Sequence, residues 1–278
     1  HSSNKRQKTL EDTQVNYIIG RDEASIMTQL TITCLGVFQA SLDGEVVSFE
    51  TDKVRALLAY LAVEAGHPQR REHLAGLLWS DQPEERALHN LRQALSSLRK
   101  TLRDGGAAGS LLRIERDGVQ LNPECQLWLD VRRFNGLLDD AYRHYQRRTG
   151  KGRLNVRALQ QGLALYRGSF LDQFYLSGSP VFDEWASLQR EALSQRAIEA
   201  LGLLADYHER RGEYALARQA TALIVEMAPW EENAYTRVMR LLAYDGQWSA
   251  AQAQYQALRR YLGEELGVNP MDETLALF

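Results

Sequence analysis

The sequence predicts an α+β region followed by an all-α one. Three observations carry this. Two short runs of β-formers with tight-turn signals bracket three helical periods within residues 27–122. From Pro123 onward only helical periodicity recurs. Within that second part, residues 34 apart match one another.

The elements follow in order. Leu30 to Phe38 is rich in β-formers and weakly alternating, which predicts a strand. Asp43-Gly44 is a tight-turn signal before Val46-Val47-Ser48-Phe49, giving an N-terminal hairpin. Asp52 suits the N-cap of a helix through "KVRALLAYLAVEAG", which Gly66 and Pro68 end. "REHLAGLLW" predicts a second, short helix, and Asp81-Gln82-Pro83 breaks it. A third helix spans about 84–103, and the glycine-rich run from Asp104 to Gly109 predicts a flexible loop. "LLRIERDGVQL" reads as strand, Asp117-Gly118 turn, strand. This order suits a winged helix-turn-helix preceded by an N-terminal β-sheet. In that architecture the third helix enters the DNA major groove and the last hairpin is the wing.

After Pro123 the helical segments are Asp130–Arg147, Val156–Arg167, Val181–Arg211, Glu213–Met227, Glu232–Asp245 and Ser249–Leu262. Pro123, Pro180, Pro229 and Pro270 lie at their boundaries. Gly212 and Gly246 are 34 residues apart, as are Tyr214 and Trp248, Ala217 and Ala251, Leu204 and Val238, and Ile224 and Leu258. Paired helices at this period predict a tetratricopeptide-like repeat, whose stacked hairpins offer a concave surface to protein partners. The expected domains are therefore 27–122, the winged helix, and 123–278, the helical repeat. Residues 1–26 are polar, without clear period, and begin His-Ser-Ser, so they are expected to be a tag or disordered leader.

Composition bounds the function. The chain has 278 residues, 44% hydrophobic and 25% charged, with no apolar run of membrane-spanning length. Cys34 and Cys125 form neither a metal-ligand spacing nor a disulfide framework, which suits reduced packing residues in a cytoplasmic protein. Net charge is −3, and residues 27–122 hold 11 Lys and Arg against 12 Asp and Glu. Any DNA surface must then be one patch and not a basic domain.

The third helix supplies such a patch. In "HNLRQALSSLRKTL" (89–102) and its flanks, Ala87, Leu88, Leu91, Ala94, Leu95, Leu98 and Leu102 share an arc of roughly 120° at about 100° per residue. The rest of the circle holds Arg86, His89, Asn90, Arg92, Gln93, Ser96, Ser97, Arg99, Lys100 and Arg103, and no Asp or Glu occurs from Arg86 to Arg103. A solvated face normally mixes both signs, so this one points to an anionic, hydrogen-bonding partner. Asn90, Gln93, Ser97 and Lys100 are placed near the centre of the arc, where Asn and Gln pair with adenine and Lys with guanine acceptors. Arg86, Arg92, Arg99 and Arg103 suit phosphates or intramolecular pairs. Arg113 and Arg116 flank the wing turn, and Arg70 and Arg71 open the second helix, where backbone N–H groups favour phosphate. His89 has no metal-type residue at i±4 and is read as a hydrogen-bonder.

Enzyme readings find no footing. The sequence has no G-x-x-x-x-G-K-[ST], H-E-x-x-H, C-x-x-C or G-x-S-x-G. No catalytic residue, metal or cofactor is expected.

Both halves together resemble the Streptomyces antibiotic regulatory proteins with their bacterial transcriptional activation domain. The resemblance lies in "KVRALLAYLAVEAG", "REHLAGLLW" and "ALHNLRQALSSLRKTL", then in "LALYRGSFL" (163–171), "WASLQREAL" (185–193) and "PWEENAYTRVMRLLAYDGQWSAAQAQYQALRRYLGEELGVNP" (229–270). It implies an OmpR-type winged helix that binds promoter direct repeats, as a homodimer on DNA, and a helical domain that supports activation and recruits RNA polymerase with its sigma factor. In OmpR-type proteins the loop between helices two and three faces polymerase, which marks Asp81, Glu84 and Glu85. A helix N-terminus enriched in acids for its dipole explains the same residues without a partner. Two departures stand out: Gly118-Val119 where the wing usually has Gly-Tyr, and Ser96-Ser97 where relatives often carry basic residues. A reading of another class stays open, a helical-repeat scaffold or signalling adaptor, part of a larger regulator, whose winged domain binds protein and not DNA. A salt titration of DNA binding separates the two.

Overall fold

The computed structural model describes residues 28–104, 110–116, 118–146 and 154–277. The expected leader 1–26, most of the glycine-rich loop and the turn residue Asp117 lie outside them.

A four-stranded sheet opens the chain: β1 (Gln29–Thr33), β2 (Gln39–Leu42), β3 (Glu45–Val46) and β7 (Gln126–Leu129), in the order β3-β2-β1-β7. β1 and β2 are antiparallel, with Leu30 opposite Leu42 and Ile32 opposite Ala40. All four of these side chains are buried, as period-2 alternation requires of one sheet face. The predicted strand Leu30–Phe38 ends at Thr33; a bend follows, and β2 begins only at Gln39. Gly36 takes φ +110° there, a conformation open to glycine. The N–H groups of Cys34 and Leu35 leave the sheet and bond the Asp130 carboxylate instead. The turn at Asp43-Gly44 lies where predicted, between β2 and β3.

Three helices follow: α1 (Asp52–Val63), α2 (Arg71–Leu78) and α3 (Glu84–Thr101). Thr51, not the expected Asp52, caps α1, its hydroxyl accepting the Val54 N–H at 3.4 Å. The wing is β5 (Leu112–Ile114) with β6 (Gly118–Leu121), joined by a two-residue strand, β4 (Gln69–Arg70), in the order β4-β6-β5. Val119 is buried in the central strand of that sheet, so it serves the wing as a core residue.

The expectation of helices only after Pro123 fails at β7. Its four residues pair in parallel with β1, Leu127 beside Leu30 and Leu129 beside Ile32. So short a run has no usable period, and its partner lies nearly a hundred positions away. Then come α4 (Asp130–Gln146), α5 (Val156–Leu163), α6 (Pro180–Arg210), α7 (Tyr214–Met227), α8 (Glu232–Tyr244), α9 (Trp248–Tyr261), a π-type turn (Leu262–Leu266) and α10 (Asp272–Leu277). The 34-residue correspondence is structural. Gly212 and Gly246 both adopt the left-handed region, φ +74° and +71°, and Tyr214 and Trp248 open α7 and α9.

One buried cluster runs from Leu30 to Ala200 and so crosses the expected boundary at 122/123. Against it the half-buried Trp185 of α6 packs on Tyr60, Phe182 and Phe170, with centroids 4.9, 5.2 and 5.6 Å away, and its Nε1 donates to Glu64 at 3.0 Å. α6 therefore packs its first half on the winged-helix core and its second half on α7.

Candidate nucleic-acid interface

α3 is held by Ala87, Leu91, Ala94, Leu95 and Leu98, all buried, with Leu102 just beyond its end. Glu84 and Glu85 in its first turn and Arg99 and Lys100 in its last match the helix dipole. The helix stops where Arg103 turns left-handed, φ +52°, and the Asp104 N–H bonds the Arg99 carbonyl at 2.9 Å.

The outward face divides along its length. One edge meets the N-terminus of α1. There Asn90, Gln93 and Ser97 line a cavity of about 360 Å3 with Glu50, Thr51, Lys53 and Trp79. Asn90 Nδ2 donates to Gln82 Oε1 at 2.8 Å, and Ser97 Oγ donates to Glu50 Oε2 at 2.7 Å. Both side chains are half-buried. This corrects the expectation that Asn90 and Ser97 lie near the centre of the polar arc: they form its edge, because α1 and the loop before it pack alongside. Gln93 and His89 remain exposed and bond each other at 3.0 Å. Lys100 stands 3.5 Å from Glu50, and Arg103 pairs with Glu45 at 2.9 Å.

The other edge faces the wing. Arg92, Ser96 and Arg99 line a cavity of about 230 Å3 with Arg71, Leu95 and Ile114. No described carboxylate pairs with Arg92 or Arg99. Arg71 Nη2 donates to the Glu115 carbonyl at 3.0 Å, tying α2 to the wing. Arg113 is paired with Glu115 at 2.6 Å, while Arg116, Arg70 and Arg86 are exposed. The three guanidinium groups of Arg71, Arg92 and Arg99 thus share one groove, suited to the bidentate geometry of phosphate.

Sequence reasoning missed Glu45 and Glu50. They come from the N-terminal sheet and the loop after it, some 50 positions before the residues they contact. The hydrogen bond from Ser97, then the charge of Lys100, hold the Glu50 carboxyl below the usual carboxylate range. Lys53 was missed as well. Its ammonium donates to the Leu78 carbonyl at 2.5 Å and to Ser179 Oγ, and it sits 5.8 Å from the Trp79 ring. Burial lowers its pKa, against the charges of Asp81 and Asp183. The expected polymerase-facing acids separate accordingly. All three are exposed, but Asp81 also lies over Gly178, where an added Cβ would stand 3.0 Å from Oδ2.

Among the described residues no group of three His, Cys, Asp or Glu is gathered for a metal, and no helix is long and apolar enough to cross a membrane.

A helix with basic and polar outer residues, a wing beside it and a repeat-type helical region make the architecture a winged helix followed by helical repeats. The family model described as bacterial transcriptional activator domain matches residues 129–278, and the chain belongs to that family. With its winged helix it is one of the Streptomyces antibiotic regulatory protein class of transcriptional regulators. It is 29% identical over 237 residues to the regulatory protein AfsR of Streptomyces coelicolor, covering 85% of this chain but 22% of AfsR. It is 26% identical over 273 residues to the transcriptional regulatory protein MoaR1 of Mycobacterium tuberculosis, covering 95% of this chain and 82% of MoaR1. The solved structure of Mycobacterium tuberculosis EmbR, in complex with a low-affinity phosphopeptide, shares the fold. Its TM-score is 0.66 at 23% identity, over 90% of this chain and 64% of EmbR.

Proposed function

We propose that the chain is a sequence-specific DNA-binding transcriptional activator that recognises promoter direct repeats as a homodimer and recruits RNA polymerase with its sigma factor. The observation that carries this reading is the groove of Arg71, Arg92 and Arg99, in which no described carboxylate pairs with Arg92 or Arg99, beside the exposed Gln93 and Lys100. The arginine groove takes phosphate, with Arg70, Arg86, Arg113 and Arg116 at its margins. Gln93, Lys100, Ser96 and His89 reach the base edges. Asn90 and Ser97 position the helix from its edge, and Arg103 takes phosphate beyond its end. DNA binding is assigned to 27–122 and activation to 123–278, in the cytoplasm where promoters are. Glu84 and Glu85 supply the acidic polymerase contact.

The test is binding of a duplex selected from random sequence, and of a scrambled duplex, across a salt series. Arg92→Ala and Arg99→Ala should weaken both alike and each flatten the salt slope by about 0.9. Gln93→Ala and Lys100→Ala should weaken the selected duplex by about 1–3 kcal/mol. Salt-independent association, or no discrimination in the parent, sinks the reading in favour of a protein-binding winged domain.

A further inference from the structure

From Arg86 to Arg103 the chain carries no acid, yet the fold sets a carboxylate on that face. Glu50 directly precedes Thr51, the cap of α1, so a capped helix end fixes its backbone. One oxygen accepts the Ser97 hydroxyl at 2.7 Å and the other stands 3.5 Å from the Lys100 ammonium. The same side chain lines the cavity shared by Asn90 and Gln93. Lys100 and Glu50 are both solvent-exposed, 82% and 58%, and an ion pair so exposed adds little to stability. A negative charge here also repels the DNA backbone. Stability and raw affinity therefore both fail to account for Glu50, and positional control accounts for it. A lysine on a long, flexible stem finds any nearby phosphate, a contact without sequence information. Held by a carboxylate at the α1 edge of the face, beside Ser97 and the cavity it shares with Gln93, it is kept among the side chains that reach base edges and donates to base acceptors instead.

We propose that Glu50 is a specificity-determining positioning residue of the DNA interface: it tethers Ser97 and Lys100 on the reading face and withholds Lys100 from the phosphate backbone. The inference rests on the DNA-binding reading above.

The experiment uses the full chain with Glu50→Gln, Lys100→Ala and the double variant, on the selected and the scrambled duplex, over a salt series. Gln keeps the shape and an acceptor for Ser97 but removes the charge, and circular dichroism checks the fold. Glu50→Gln should tighten the scrambled duplex several-fold, steepen its salt slope by about 0.9 for one added phosphate contact, and lower the ratio of selected to scrambled affinity. In the Lys100→Ala background these changes should vanish. An unaltered ratio and slope with Glu50→Gln overturns the inference alone, provided the parent discriminates between duplexes. So does a change that persists without Lys100 and is confined to one C·G pair, because Glu50 then reads cytosine itself. A parent that binds neither duplex overturns the DNA-binding reading and this inference with it.

Discussion

Trp185, in the first turns of α6, packs its indole on the phenol of Tyr60 in α1, with 4.9 Å between centroids. The contact joins two parts of the chain that periodicity separates. The buried cluster continues through it from Leu30 to Ala200, so the first half of α6 belongs energetically with the winged helix.

Trp185→Ala should cost about 3 kcal/mol, the usual scale for removing a packed aromatic. Because the core is continuous, the loss should lower a single cooperative transition and not split it. Urea unfolding followed by far-ultraviolet circular dichroism and by tryptophan fluorescence checks this in the parent and a conservative Tyr60→Phe background. Two well-separated transitions in the parent, only one of them moved, would show that the cores act apart.

Asp130 opens α4 with its carboxylate fully buried. It accepts the N–H groups of Cys34, Leu35 and Val131 at 2.8–2.9 Å. Asp130→Asn turns one acceptor into a donor facing a donor, and should cost about 1–3 kcal/mol. Burial raises the Asp130 carboxyl above its ordinary value, against those three N–H groups and the charge of Arg167. The folded state therefore holds this proton more tightly than the unfolded chain. The contribution is complete below the ordinary carboxylate range and is lost as pH rises through the folded pKa. Equilibrium unfolding from pH 4 to 8 should show the gap between parent and variant narrowing as pH rises; a widening gap would be the wrong sign.

Arg103 holds a left-handed backbone, φ +52°, that glycine adopts freely. Its ion pair with Glu45 is exposed on both sides and contributes little. Arg103→Gly should stabilise the fold by roughly 0.5–1 kcal/mol while weakening all DNA sequences alike. A thermal melt and a binding isotherm on one preparation decide it. Loss of stability would mean that the Glu45 contact outweighs the strain.

The acids around the start of α3 should part in their effects. Asp81→Ala removes a charge that favours the Lys53 ammonium beside Ser179 and Gly178, so its first effect should be a lower melting temperature. Glu84→Gln with Glu85→Gln should leave promoter binding equal or slightly tighter and reduce transcription by purified polymerase. Undiminished transcription removes the polymerase contact and leaves the helix dipole as their reason.

The sequence by itself determined the long elements and the repeat. α1, α3, α4 and the helices from α6 to α9 carry enough turns for a 3.6-residue period to register, and Gly212 and Gly246 mark equivalent turns, both with a left-handed backbone. It also determined that one face of α3 is cationic and polar, since that is a property of eighteen consecutive residues. The tertiary structure alone decided β4 and β7, two and four residues long, whose existence depends on β6 and β1 far away in sequence. It alone broke the strand at Leu35, through a carboxylate 95 positions on. And it alone divided the cationic face, because the charge a side chain meets is set by distance in space. Glu45 and Glu50 reach Arg103 and Lys100 from an element that no local pattern links to α3, while Arg92 and Arg99 are left open toward the wing.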